Sequence, residues 1–497
     1  MSDWKTYKLG EIAEIIARGI SPKYAKTGVP VINQKCVRDG KIKFNDIKFN
    51  DATLKKVSED KHLRKNDILV NSTGQGTLGR VGQINFEINE FTYDSHVTLV
   101  RIDKAFDQIF VGYKLKSLQS YIESMAEGST GQTELNREKL RQLEITIPDL
   151  ATQTAIAQIL TSLDDKIELN LQMNQTLEAM AQALFKEWFV NFNFPDHDSL
   201  DEKEGLNHDS LDLLDEKEGL NHDSLDLLDE KEGLNHDSLD EQEGLNHDSL
   251  DLLDEKDSEK KKSKEKNQAN QDNPQNQGSD NLPKGWRMGK LGEEFNLTMG
   301  QSPKGETLNQ ENEGMIFYQG RTDFGFRFPS NRIYTTEPNR IANKLDTLVC
   351  VRAPVGDINM AIEKCCIGRG LSAVMHKSNA YSYTYYLMNN IEPIFKGFES
   401  EGTVFGSLNK NNFENIEVVV PNKQLLKDFE KVINPIDEKI LNNSLQIQTL
   451  TQTRDALLPK LMSGRLNLDF LDGQDSKDFK KSNQGNQENH KNQGSDK

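Results

Sequence analysis

The feature that most constrains this chain is an internal duplication. Trp4-Lys5 followed by KLGE at residues 8–11 returns as Trp286-Arg287 followed by KLGE at 290–293. DILV at 67–70 has its counterpart in DTLV at 346–349. Late in each half a Gly-Ser/Thr stretch runs into an alternating strand closed by proline, at 128–148 and at 402–421. Each half then turns helical: LDDKI at 163–167 matches IDEKI at 436–440, and QTL at 175–177 matches QTL at 448–450, both at an offset of 273. Two copies of one β-rich pattern, each followed by a helix, require a repeat architecture with two separate cores.

The helical stretches carry an apolar seam in steps of three and four. In the first it runs through Ile156, Leu160, Leu163, Ile167, Leu177, Ala181, Leu184 and Trp188, broken by Asn170 and Asn174. In the second it runs through Ile433, Ile436, Ile440, Ile447, Leu450, Leu457 and Leu461, with Asn443 at the place of Asn170. A stripe along a helix of roughly 40 residues, about 60 Å long, needs a partner helix, and the other half's copy is the natural one. Buried Asn at matching positions lowers stability but fixes register. The expected fold class is α+β: two mostly-β domains joined by two long antiparallel coiled-coil helices with pseudo-twofold symmetry. Trp188 and Phe189, near the end of the first helix, are expected to serve subunit contact or to cap the coiled coil.

Between the halves lies a second, shorter repeat. HDSLDEKEGLN (197–207) is followed by two copies of HDSLDLLDEKEGLN, then HDSLDEQEGLN and HDSLDLLDEK, ending at 256. Residues 196–257 hold 24 Asp and Glu against 4 Lys, whereas the whole chain has a net charge of −18. Everything outside that segment therefore carries about +2, and the global charge does not exclude a polyanionic partner. A Lys/Ser/Asn/Gln tract follows, and a similar one closes the chain; both compositions predict disorder. Five of the nine histidines lie in the repeats, one per copy, which reads as duplication and not as a metal site. The expected organisation is 1–150 first lobe, 151–192 central helix, 193–281 disordered linker, 282–422 second lobe, 423–464 distal helix, 465–497 disordered tail.

Motifs for small-molecule chemistry fail on inspection. Gly74-x-Gly76-x-x-Gly79 has dinucleotide-binding spacing, but RVGQINFEI after it alternates like a strand where that fold needs a helix. The glycines instead predict a hairpin turn with positive φ. Gly300-x-x-x-x-Gly305 copies phosphate-loop spacing, yet Glu306 stands where a lysine is needed. There is no Asn/Asp-Pro-Pro-aromatic methyltransferase motif, no GxSxG and no nuclease carboxylate pair, so the chain is expected not to be an enzyme. Four cysteines without a CxxC pair point to free thiols in a reducing compartment. Without a signal-like N-terminus or an apolar run of membrane-spanning length, the expected location is cytoplasmic.

The ordered set of motifs resembles the specificity (S) subunit of type I restriction–modification systems. It consists of KLGEI near the start, MGQSPKGE at 299–306, FYQGRTDFG at 317–325, VRAPVGDIN at 351–359, CIGRGLSA at 366–373, and strand-Pro-helix with LDDKI or IDEKI. The likeness covers residues 1–192 and 282–470; the central repeats depart from the family pattern, where a short loop would suffice. The resemblance implies two target-recognition domains, each reading part of a bipartite site in double-stranded DNA. It implies helices that dock two methyltransferase (M) subunits, to which restriction (R) subunits bind. S-adenosylmethionine, ATP and Mg would belong to those partners, with no cofactor, metal or catalytic residue in this chain and no membrane partner.

Family lobes touch DNA through loops, so polar residues beside the turn glycines are the candidates. In the first lobe these are Lys23, Gln34, Lys35, Arg38, Gln75, Thr77, Arg80, Thr130 and Gln132. In the second they are Ser302, Lys304, Gln319, Arg321, Arg352, Arg369, Thr403 and Ser407. Arginine suits guanine and Gln or Asn suits adenine in the major groove, while Lys and hydroxyls hold phosphates. The plain alternative for each is a solvated or structural loop residue. Rival readings are the specificity subunit of a type IIB-like system and a non-catalytic coiled-coil scaffold for proteins.

Overall fold

The computed structural model describes residues 4–127, 133–195, 282–400 and 406–464. The repeats, the Lys/Asn/Gln tract and the C-terminal tail lie outside the described residues. The chain forms two compact units whose boundary cuts both long helices: Met1–Leu171 with Leu445–Lys497, and Gln172–Ser444. No helix among the described residues is long and apolar enough to cross a membrane.

In the first unit, Lys5–Lys8 pairs antiparallel with Glu144–Ile147. A four-stranded antiparallel sheet runs in the order Ala13–Arg18, Val97–Ile102, Ile68–Asn71, Val81–Gln83. A second sheet has the order Thr92–Tyr93, Val29–Ile32, Lys48–Asn50, Tyr24–Ala25, its first pair parallel. The alternation of side chains puts residues of the central strands on both faces, and every residue of both strands is buried. Ile68, Val70 and Val100 enter one core and Leu69, Val97 and Leu99 another, so neither face is left to solvent.

The second unit repeats this plan. Arg287–Lys290 pairs with Glu417–Val420. The antiparallel sheet has the order Phe295–Met299, Leu371–His376, Thr347–Cys350, Ile358–Met360, with Val349 and Val374 in one core and Leu348 and Leu371 in the other. The mixed sheet runs Leu308–Asn309, Ile333–Thr335, Met315–Tyr318, Cys365–Ile367 and gains an edge strand, Ile341–Ala342. Its parallel pair, Met315–Tyr318 with Cys365–Ile367, matches the one in the first unit.

Two helices of 40 residues each follow the lobes, Leu150–Phe189 and Lys423–Met462. Inside each unit a segment of one packs antiparallel on a segment of the other. In the first unit, Asp164 meets Arg454 at 2.6 Å and Asn170 meets Gln446 at 2.6 Å, so numbers rise on one helix as they fall on the other. In the second unit, the Asn443 amide donates to Asn174 Oδ1 at 2.9 Å, and Asn174 donates to Ser444 at 3.1 Å. The asparagines expected at the seam are buried and amide-paired, so mispairing by a turn would strand polar groups in an apolar contact.

Of the two roles expected for Trp188 and Phe189, the contacts match the cap on the helix pair: both are buried in the second unit, packed on Phe429 of the other long helix at ring distances of 5.6 and 4.9 Å. The chain beyond the helix stays attached as well: Phe192 meets Trp286 edge-on at 5.0 Å and Phe194 stacks on it at 5.9 Å. Such aromatic pairs contribute roughly 0.5–1.5 kcal/mol each beyond area burial. They tie Phe192 and Phe194 to the second unit.

Candidate nucleic-acid interface

In the second lobe three loops converge because their strands end side by side. They are the turn after Met315–Tyr318, the loop after Thr347–Cys350 and the turn before Leu371–His376. A cleft of about 560 Å³ opens between them, lined by Gln319, Arg321, Arg352 and Arg369 among others, with Cys350 as part of its wall. Burial pushes the Cys350 thiol up to about 12, which keeps that wall neutral. Ser302 joins the cluster: its hydroxyl donates to Gln319 Oε1 at 3.2 Å and accepts the Arg369 backbone N–H at 3.4 Å. This approach needs Gly300, where a Cβ would lie 2.1 Å from the Gly368 carbonyl oxygen.

Arg321 is held by Asp357 at 2.6 Å. Arg352 is bridged through its backbone to Ser407. The exposed guanidinium groups of Arg352 and Arg369 have no ion pair among the described residues. Lys304 is solvent-exposed and 3.9 Å from Glu306. Thr403 lies outside the described residues. The structure thus gathers Ser302, Gln319, Arg321, Arg352, Arg369 and Ser407 around one opening whose ordinary-pH charge is positive.

The first lobe builds the corresponding place with other chemistry. The glycine stretch is the turn between Ile68–Asn71 and Val81–Gln83, with φ of 105°, 71° and 79° at Gly74, Gly76 and Gly79, as the hairpin reading requires. The Asn71 amide donates to the carbonyls of Gln34, at 2.8 Å, and Thr77, at 3.0 Å, stitching two candidate loops together. Arg80 donates to the Gly76 carbonyl at 2.8 Å and braces the turn. Lys35, Arg38 and Gln75 are exposed beside it. Lys23 is exposed too, in GISPK, the counterpart of GQSPK with Lys304. Thr130 and Gln132 lie outside the described residues.

Strand register aligns the lobes residue by residue. Asn71 pairs with Val97 as Cys350 pairs with Leu371, so Thr73 stands where Arg352 does and Ser95 where Arg369 does. The isolated bridges agree, since Thr73 faces Glu134 and Arg352 faces Ser407. Sequence reasoning missed His96, which is exposed, with Nδ1 2.7 Å from the Thr73 hydroxyl. The signal was there: DSHVTLV at 94–100 matches GRGLSAV at 368–374, where Arg369 was chosen.

A duplicated contact joins each lobe to its helix. The Tyr113 hydroxyl donates to Asp164 at 2.6 Å, and 273 residues on, the Tyr386 hydroxyl donates to Asp437 at 2.8 Å. Burial first, then the carboxylate, raises the pKa of both phenols. The cation differs. Arg454, from the opposite helix, reaches Asp164, whereas fully buried Arg327, from the second lobe, pairs with Glu178 at 2.6 Å and Asp437 at 2.8 Å. Its guanidinium also lies 4.1 Å from the Tyr385 ring centre. Burial opposes its charge, but Asp437, the two tyrosines and Glu178 raise its pKa well above the ordinary value.

Among the described residues no cluster of three or more His, Cys, Asp or Glu could hold a metal ion. The family profile described as "Type I restriction modification DNA specificity domain" matches residues 1–179 and 283–452. The chain is 27% identical over 496 residues to the type I restriction enzyme HindI specificity subunit of Haemophilus influenzae, covering 94% of this chain and 100% of that protein. It is 24% identical over 381 residues to the type I restriction enzyme MjaIX specificity subunit of Methanocaldococcus jannaschii, covering 73% of this chain and 70% of the relative. The crystal structure of the type I restriction–modification S subunit from M. genitalium shares the fold, with a TM-score of 0.53 at 19% identity, covering 93% of this chain and 96% of that one. With both lobes and most of both helices matched by one profile, this chain belongs to the type I restriction–modification DNA-specificity family.

Proposed function

We propose that this DNA sequence-recognition subunit reads a bipartite duplex, one lobe to each half-site. Each lobe presents a cluster of exposed polar and basic loop residues at the same strand ends, and that repetition carries the reading. Arg352 and Arg369 offer planar donors suited to guanine, while Lys35 and Lys23 suit phosphates. The helices dock two methyltransferase subunits. Solvent-facing apolar side chains support this, namely Leu169 and Leu445 in the first unit and Met180 in the second. Restriction subunits join through the complex, in the cytoplasm. Methyl transfer and cleavage, with S-adenosylmethionine, ATP and Mg, belong to the partners, and this chain supplies specificity without catalysis.

Co-expression with the cognate methyltransferase followed by single-molecule methylation mapping tests the reading. Arg352→Ala with Arg369→Ala is expected to alter one half of the methylated motif and leave the other half and the gap unchanged. Alteration of both halves would refute the assignment of one lobe per half-site. An unchanged methylome on deleting the chain would return the protein-scaffold reading.

A further inference from the structure

A second basic surface lies in the Gln172–Ser444 unit, away from the loops that read DNA. It is a groove of about 950 Å³ where the helices Tyr381–Asn390 and Lys423–Met462 begin. Arg287, Lys377, Lys423, Lys427 and Lys431 line it, against two carboxylates, Glu294 and Glu430. Both carboxylates have internal partners: Arg287 pairs with Glu294, and Glu430 accepts the Tyr383 backbone N–H at 2.8 Å. Lys423 and Lys427 have no ion pair among the described residues. They stand in the first two turns of their helix, where the helix dipole disfavours cations. Lysine charge set against the helix dipole asks for an anion.

The chain carries one of its own. It leaves the described residues after 195, where Phe194 stacks on Trp286, and returns at 282, so that Gly285 and Arg287 already form the groove's wall. The acidic repeats end at 256, some 25 residues short of that return. Even fully extended, about 25 residues reach no more than about 90 Å, so the repeats stay covalently within reach of the groove. The intervening tract, with lysines at 260, 261, 262, 264 and 266, has the groove's own sign and does not compete for it.

We infer that the acidic tandem repeats dock in cis in this basic groove, as an intramolecular polyanion that keeps it from non-specific duplex DNA. Several near-identical units make the contact redundant, so any one copy satisfies the groove. Zero-length carbodiimide crosslinking of the full chain, read by peptide mass spectrometry, tests the contact. Lys423 and Lys427 are expected to link to Asp or Glu of the repeats, and high salt or Lys423→Glu with Lys427→Glu abolishes those links. Deleting residues 197–257 is expected to raise affinity for random-sequence duplex about tenfold at low salt and to steepen its salt dependence. The double lysine variant, placed in the deletion chain, reverses that gain. Repeat crosslinks confined to lysines 260–266, or duplex affinity unchanged by the deletion, would overturn the inference.

Discussion

The two lobes share a strand order, a parallel pair, a Gly-x-Ser-Pro-Lys loop and a tyrosine–aspartate link to their helix. They differ at their loop tips and in how buried charge is neutralised. In the first lobe Asp67 pairs with Arg101 at 2.7 Å, with both side chains buried. In the second, the Asp346 carboxylate accepts the Asn343 backbone N–H from the corresponding turn and has no cation among the described residues, the register of Arg101 being occupied by Met375. Duplication has preserved what positions the loops. It has let drift what the loops present and how each lobe is fastened.

The fastening gives the largest expected asymmetry. Arg327→Met leaves Glu178 and Asp437 buried without their cation and is expected to destabilise the second unit by about 3–5 kcal/mol. Arg454→Met, at a more open site, is expected to lower the stability of the first unit by only about 1–2 kcal/mol. Hydrogen exchange read by mass spectrometry resolves the units separately, and equal losses would erase the contrast.

Next come the two aspartates, which should respond with opposite signs. Asp67→Asn is expected to cost the first lobe about 3 kcal/mol by orphaning the Arg101 charge. Burial pushes the Asp346 carboxyl up to about 6, from 3.8. A carboxyl raised in the fold favours the protonated state, so the second lobe loses stability as pH rises from about 4 to about 6. Asp346→Asn should remove that slope and stabilise the lobe at neutral pH by on the order of 2 kcal/mol. Denaturant unfolding across this pH range decides it, and a loss of stability at pH 7 would contradict the assignment.

Smaller effects belong to the reading surface. Arg352→Ala and Arg369→Ala are each expected to cost about 1–3 kcal/mol of discrimination at one base of one half-site. Thr73→Ala and Ser95→Ala, at the matching positions of the first lobe, should cost about 1 kcal/mol or less. Binding of the methyltransferase complex to duplexes substituted base by base measures both. The smallest expected effect is zero. Adding one 14-residue repeat lies beyond the helix end at Phe189 and leaves the gap between half-sites unchanged, as methylome mapping of repeat-number variants would register.

Much of this was legible in the sequence because it is periodic. Offsets of 273 exposed the duplication, three-four spacing exposed the helix seam, and alternation exposed strands such as Ile68–Asn71. The glycine turn was readable because positive φ restricts residue type. What stayed hidden depends on contacts between distant segments. Arg327 lies within a loop, and nothing local marks it as the cation of Asp437. Trp188 reads as a helix-end aromatic until Phe429 from the other helix is placed against it. The Thr73 partner of His96 stands at the end of the neighbouring strand, 23 residues away in sequence.

The tyrosine–aspartate contact has a consequence for inheritance. Tyr113 and Asp164 are 51 residues apart, and so are Tyr386 and Asp437, so each contact is written within one continuous stretch of gene. A crossover that transplants a lobe together with its following helix carries both halves of the contact. One that cuts between them must rely on the recipient's aspartate, whose cation differs between the two copies.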